Sequence, residues 1–387
     1  MLDAETYRIS ERLAKAQSPT WRISAAHNVD HFERVGFPVR ISSYRDLGQL
    51  LDTMQEFRFD KYMRELGGLT DEEYALVIEA CKEVVLFQAT YLPNRRPILP
   101  ISTLLSNFTL YKKMIGIDRN FDSVLEIGPG CGYLSFFLRR HSALRNYTQI
   151  EAAESFYILQ SLINVHCFGA QFEERAFLQE ETSVLNYFAA PSPFTEIAPH
   201  IHFDRRKLCS HYPWWRIGEL PGQERKFQIV MSNANLLEFN PTALEDYLSL
   251  LLEVLEPEGV FLMQCAGYPA HGSIQDLLTK LWEKGFGMLM FALENKPHAQ
   301  PQVGGPSHLL TELKRTSGNT LVLTVNNGLF IKAGHPLYNS YRERPDGQLH
   351  FIGNERLVND VFFSRPPNRR MYSVQQFVED TEKALRT

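Results

Sequence analysis

Val124-Leu125-Glu126-Ile127-Gly128-Pro129-Gly130-Cys131-Gly132-Tyr133 is the stretch on which the reading of this chain turns. A short apolar run of strand type meets three alternating glycines and then a segment of helical character. Glycine is needed where a backbone turns sharply, or must touch a ligand with no Cβ in the way. A helix start offers unpaired N–H groups to an anionic ligand group. Such a turn fits a nucleotide-type site at the carboxyl edge of a parallel sheet. The spacing then separates the cofactors. A dinucleotide fingerprint runs G-x-G-x-x-G, whereas Gly128, Gly130 and Gly132 run G-x-G-x-G. One acid, Glu126, stands just before the first glycine, and a second, Glu151, ends the next strand, where it can accept both hydroxyls of a ribose.

Outward from this stretch, the pattern alternates. Strands are expected at 123–127, 147–150, 227–231 and 260–263, with helices at 132–140 and 155–166. Asn240 as cap and Pro241 in the first turn start another helix. Leu244, Tyr247, Leu248, Leu251, Leu252 and Leu255 form its apolar stripe. Alternating strands and helices mean a parallel sheet covered on both faces. Before it, residues 1–117 read as a helical domain, a lid or an oligomerisation module. Helices are expected at 5–16, 44–66, 74–92 (opened by a Thr70–Glu73 capping box) and 102–115. The core, 118–335, carries two proline-rich stretches read as insertions, 171–206 and 294–318. Asn326-Asn327-Gly328 suggests a hairpin turn. A C-terminal extension, 336–387, ends in a helix with Ser373 and Gln376 as capping box.

Composition narrows the class. The 387 residues are 44% hydrophobic and 22% charged, with a formal charge of -5. That is ordinary for a globular chain, and gives no overall pull toward nucleic acid. The five cysteines are scattered with no CxxC pair, which argues against a disulfide framework or structural zinc. No signal-peptide pattern and no membrane-length apolar stretch is evident. The expectation is a cytoplasmic protein with a small-molecule acceptor, no nucleic-acid or membrane partner, and a homodimer as the candidate assembly.

The motif set resembles the class I S-adenosylmethionine-dependent methyltransferases, whose first motif is E/D-x-G-x-G-x-G. The resemblance covers residues 122–292. Met231-Ser232-Asn233-Ala234-Asn235 falls where that family places its fourth motif, and Leu255-Glu256-Pro257-Glu258-Gly259 looks like its turn before the fifth strand. The layout, with a long helical N-terminal region and a Tyr212-Pro213-Trp214-Trp215 segment, is similar to sugar O-methyltransferases. The resemblance implies a doubly wound, mostly parallel sheet of the seven-stranded type and S-adenosyl-L-methionine as cofactor. By the same resemblance, Gly128, Pro129, Gly130, Gly132 and Tyr133 would face the methionine part. Glu126 would place its ammonium through water, Glu151 would bind the ribose, and Ser232 and Asn233 would complete the site. The family's usual acid at the adenine is missing from the Ser210–Trp215 segment.

A sulfonium is already an activated donor, so the protein must align the acceptor, exclude water and take a proton. A sugar hydroxyl hardly ionises at neutral pH, and a general base is expected. His271, in the loop after the fifth strand, is the first candidate and His211 the second. His27, His31 and His308 are further histidines without a distinguishing context. Trp214 and Trp215 could stack on a sugar or on adenine, or belong to the core. The expected reaction is O-methylation of a sugar or secondary metabolite, with no metal. The alternatives are N- or C-methylation of a small molecule, or a nicotinamide-dependent oxidoreductase on a related fold. A non-catalytic partner in an assembly is a further alternative. A nucleic-acid methyltransferase lacks its Pro-Pro-Tyr signature here.

Overall fold

Local chemistry sets the helix starts. Thr70 Oγ1 accepts from Glu73 N at 3.2 Å while Thr70 N donates back to Glu73 Oε2 at 3.1 Å, and this box opens α4. Asn240 Oδ1 caps α8 by accepting from Ala243 N at 2.8 Å. A computed structural model describes residues 3–17, 38–55, 58–92, 95–180, 207–224, 226–264, 272–293, 325–339 and 367–387. Its helices are α1 (Ala4–Gln17), α2 (Tyr44–Thr53), α3 (Phe59–Leu66), α4 (Asp71–Tyr91), α5 (Ile101–Ile117), α6 (Ser135–Leu138), α7 (Glu154–Phe168), α8 (Pro241–Val254), α9 (Ile274–Lys284) and α10 (Val374–Arg386). Its strands are β1 (Ser123–Ile127), β2 (Asn146–Glu151), β3 (Phe172–Glu174), β4 (Cys209–Pro213), β5 (Phe227–Asn233), β6 (Leu255–Gln264), β7 (Gly287–Leu293) and β8 (Val325–Ile331).

The strands form one sheet in the order β3-β4-β2-β1-β5-β6-β8-β7. The pairs from β3 to β6 are parallel, and β8 runs antiparallel to both β6 and β7. The chain leaves β1 for β2 on one side and reaches β5 on the other. That reversal opens a crevice at the carboxyl ends of β1 and β5, where ligands bind in such sheets.

Several expectations are corrected. Among the described residues the sheet has eight strands, and its last two pairs are antiparallel. The first expected insertion begins with a sheet strand, β3, at the edge. The expected helix over 132–140 shrinks to α6, flanked by tight turns such as Ser135 N to Gly132 O and His141 N to Leu138 O. The strand after α8 starts at Leu255, paired with Phe227, and the Glu256–Gly259 segment lies within it across a register shift. Asn326-Asn327-Gly328 is not a turn, because β8 passes straight through it. Gly328 is matched with Met263 on one side and Phe291 on the other. With both flanks paired, the local turn preference loses to the ladder. Glycine suits the place for another reason, since a Cβ there would come within 2.6 Å of the Phe330 ring. Residues 181–206, which hold most of the first insertion, all of 294–318, and 340–366 of the C-terminal extension lie outside the described residues.

The N-terminal helices share one buried apolar cluster with the sheet. Phe108 of α5 packs on Phe137 of α6, and Arg139 reaches Glu83 of α4. Helix α10 returns to the outer side of α4. Tyr372 stacks on Tyr74 at 3.8 Å between centroids, and the Tyr74 hydroxyl donates to Asp380 at 2.9 Å. Arg369 pairs with Glu73 at 2.6 Å, while Leu69 and Arg370 form a bridge. Among the described residues no helix is long and apolar enough to cross a membrane.

Candidate functional site

Gly128 follows β1 directly, and its amide donates to Ile150 O of β2 at 2.9 Å. Gly128, Gly130 and Gly132 take φ of 64°, 59° and 74°, a region that disfavours a Cβ. Pro129 sits inside this turn and its carbonyl accepts from Gly132 N at 2.9 Å. At Gly128 the demand is also steric, because a Cβ would stand 2.1 Å from Asn235 Nδ2. Asn235 donates to Ile127 O and accepts from Ser232 Oγ. The turn after β5 is thereby locked onto the glycine turn after β1. Between Ser232 and Asn235 lies Ala234, whose φ of 60° makes it the one non-glycine residue with positive φ among the described residues.

Glu151 ends β2 beside this turn. Its Oε1 accepts from Ala152 N at 2.8 Å and Ala153 N at 3.0 Å. Its Oε2 accepts from Gln160 Nε2 at 2.8 Å, and that same amide group donates to Gly130 O at 2.8 Å. Burial raises the Glu151 pKa against the opposing pull of these bonds. A carboxylate offers about four lone-pair positions, so one acceptor position remains. Gln160 Oε1 is buried with no hydrogen-bond partner among the described residues. Together these two acceptors fit a hydroxyl-bearing ligand such as a ribose.

Glu126 sits in a buried network of side-chain hydrogen bonds. It is 2% exposed and accepts from the Tyr147 hydroxyl and from Gln149 Nε2. Gln149 in turn accepts from Asn164, and Asn164 accepts from Ser135 Oγ at 2.8 Å. Both bonds to Glu126 go to Oε2, and the relay ties it to α6 and α7. Burial pushes its carboxyl up to about 7.

The remaining sequence candidates divide. Ser232 is buried and spent on Asn235. Asn233 is partly exposed at the carboxyl end of β5, paired in register with Gln264 of β6. Tyr133 is buried, and its hydroxyl has no partner among the described residues. His211 is fully buried in β4, stacked on Tyr157 at 3.9 Å and within 3.0 Å of Ser161 Oγ. Desolvation holds its pKa down near 3, so it is a neutral packed ring with no path to an acceptor. Trp214 and Trp215 are buried. They meet edge to face at 5.5 Å, and Tyr7 of α1 packs on Trp215 at 4.9 Å. They therefore pack as core side chains. His27, His31, His271 and His308 lie outside the described residues. No group of His, Cys, Asp or Glu among the described residues is arranged to hold a metal. Helix α1 flanks the site, with Arg8 and Arg40 converging on the buried Glu154 at 2.6 and 2.5 Å.

Asn235 and Gln160 were not expected as site residues. Asn235 stood inside the quoted fourth motif, but nothing in its spacing tied it to Gly128. Gln160 carried no signal, being one polar residue on an apolar helix.

No protein-family profile matches the chain, and no curated protein matches it in sequence. Among solved structures it is similar to a protein provisionally named sarcosine dimethylglycine methyltransferase from Galdieria sulphuraria. The two are 12% identical over 71% of this chain and 98% of that one, with a TM-score of 0.36. It is similar to a TehB-like SAM-dependent methyltransferase from Corynebacterium glutamicum, with 12% identity, 57% and 87% coverage and a TM-score of 0.31. A third similar structure is MtNAS in complex with MTA and tNA, with 12% identity, 84% and 98% coverage and a TM-score of 0.34. Likeness at this level transfers neither an activity nor a ligand.

Proposed function

We propose that this protein is an S-adenosylmethionine-dependent methyltransferase acting on a small molecule, with a sugar or secondary-metabolite hydroxyl as the acceptor. The observation that carries the reading is the glycine turn at the switch point of the sheet, clamped by Asn235 and flanked by Glu151. Such a turn brings bare backbone to a ligand, and the spare acceptor capacity of Glu151 and Gln160 suits a ribose. Gly128, Pro129, Gly130 and Gly132 would hold the methionine part, and Glu151 the ribose. When bound, the cofactor supplies a methyl group on an already positive sulfur.

The work left to the chain is alignment, exclusion of water and removal of a proton. Asn233, partly exposed at the end of β5, would complete the site in this reading. His211 is not proposed as the base, given its burial. His271, seven residues beyond the end of β6 in the sequence, is the histidine we assign to that role, on its place in the chain between β6 and α9.

Calorimetric titration with S-adenosylhomocysteine, with NAD as the control ligand, tests the cofactor. Saturable binding of S-adenosylhomocysteine alone supports the reading. Binding of NAD alone would replace it with the oxidoreductase. For the base, His271→Ala should lose kcat while keeping the Kd for S-adenosylhomocysteine.

A further inference from the structure

Lys113 of α5 is 1% exposed at its side chain and lies 3.0 Å from the buried Glu65 of α3. Its ammonium also donates to Gln264 Oε1 at 2.8 Å. Gln264 is the last residue of β6, and its carbonyl accepts from Ala234 N at 3.1 Å. We propose that Lys113 is a positioning residue: paired with Glu65, it fixes the end of β6 and, through Gln264, the Ser232–Asn235 turn that clamps Gly128. The proposal rests on the cofactor reading for its functional meaning.

The argument begins with cost. A buried ion pair is weak evidence for stability, since apolar residues of similar volume often do as well or better. What the pair supplies here is direction. Lys113 joins two helices of the N-terminal layer to one amide side chain at the edge of the candidate site. That amide belongs to the residue in register with Asn233 and bonded to Ala234. An alanine in the left-handed region is strained, and such a conformation persists only where its surroundings over-determine it. Gln264 O holds Ala234 from one side, while Asn235, tied to Ile127 O and Ser232, holds it from the other. Without the Gln264 anchor the turn is free to relax toward negative φ. Asn235 would then leave Gly128, and the turn that approaches the ligand would lose its fixed shape.

Three variants separate positioning from mere packing. Lys113→Met strands a buried Glu65 and should melt well below wild type. Lys113→Met/Glu65→Leu replaces the pair with apolar volume and should melt within a few degrees of wild type. Gln264→Leu keeps the ion pair and cuts only the link. In the last two, hydrogen exchange followed by mass spectrometry should show peptides bearing Ala234 and Gly128 opening about tenfold faster. The peptide bearing Leu69, whose amide is bonded to Arg370 O, should not change. The Kd for S-adenosylhomocysteine should rise about tenfold in both. Unchanged exchange at Ala234 and Gly128 in the double variant and in Gln264→Leu would overturn the proposal. If wild type fails to bind S-adenosylhomocysteine, the cofactor reading falls, and the exchange result still decides whether Lys113 positions the turn.

Discussion

Glu126 and Glu151 stand on neighbouring strands, on the same face of the sheet, and both lie close to the glycine turn. Their surroundings give them different work. Glu126, within β1, is held at Oε2 by Tyr147 and by Gln149, which the Asn164–Ser135 relay holds in turn. Glu151 lies at its rim, holding the two amides that lead into α7 and keeping an acceptor position to spare. The same chemical group is a strut of a side-chain network in one place and, in the function we propose, an acceptor for the ligand in the other. In that reading an acid in a motif acquires its role from what it is bonded to.

The largest effect should come from breaking the turn that separates the two. Gly128→Ala puts a Cβ against Asn235 and an L residue at φ 64°. A loss of up to about 5 kcal/mol in unfolding free energy is expected, from left-handed strain and overpacking together, with S-adenosylhomocysteine binding abolished in calorimetry. Retained binding would mean that the turn does not shape the site.

The next test is specific to the strut. The folded-state pKa of Glu126 is raised to about 7 from an ordinary 4.5, so between these values the folded chain holds a proton that the unfolded chain has released. Stability from this group is fully present below pH 4.5 and is lost as pH rises through 7. The expected loss is on the order of 3 kcal/mol, read as a falling urea midpoint between pH 5 and 8. Glu126→Gln should remove that part of the slope, and an identical slope in both proteins would contradict the strut.

Glu151→Gln probes the rim. The amide keeps an acceptor oxygen for Ala152 and Ala153 but loses the charge, so the melting temperature should move by only a few degrees. Binding of S-adenosylhomocysteine should weaken by about 10- to 100-fold, the range for a hydrogen bond to a charged group. A Kd unchanged in this variant would make Glu151 a second strut. The smallest effect is expected at Ala234→Gly, which relieves the left-handed alanine at the cost of a freer unfolded chain. A net gain of about 0.5–1 kcal/mol in urea unfolding is expected.

The sequence was most readable where structure is decided locally. The Thr70–Glu73 box, the Asn240 cap and the Ser373–Gln376 box are contacts across three residues, and each opens its helix as read. The three glycines were legible because positive φ excludes other residues. Legibility failed where a distant partner decided the outcome. Asn326-Asn327-Gly328 has the composition of a turn, and only β6 and β7 on its flanks make it a strand. His211 gave no sign of being enclosed, since Tyr157 and Ser161 belong to α7, 54 and 50 positions earlier. Lys113 carried no signal of its own, because Glu65 and Gln264 lie 48 and 151 positions away.

The clasp of α10 on α4 also constrains how the molecule comes into being. Tyr74 and Asp380 are 306 positions apart, so at roughly 5–20 residues per second on the ribosome the outer side of α4 waits about 15–60 s for its cover. Throughout that interval the N-terminal layer carries an unshielded aromatic flank at Tyr74. The nascent chain is therefore open to sticking to its neighbours at this flank until α10 has been made.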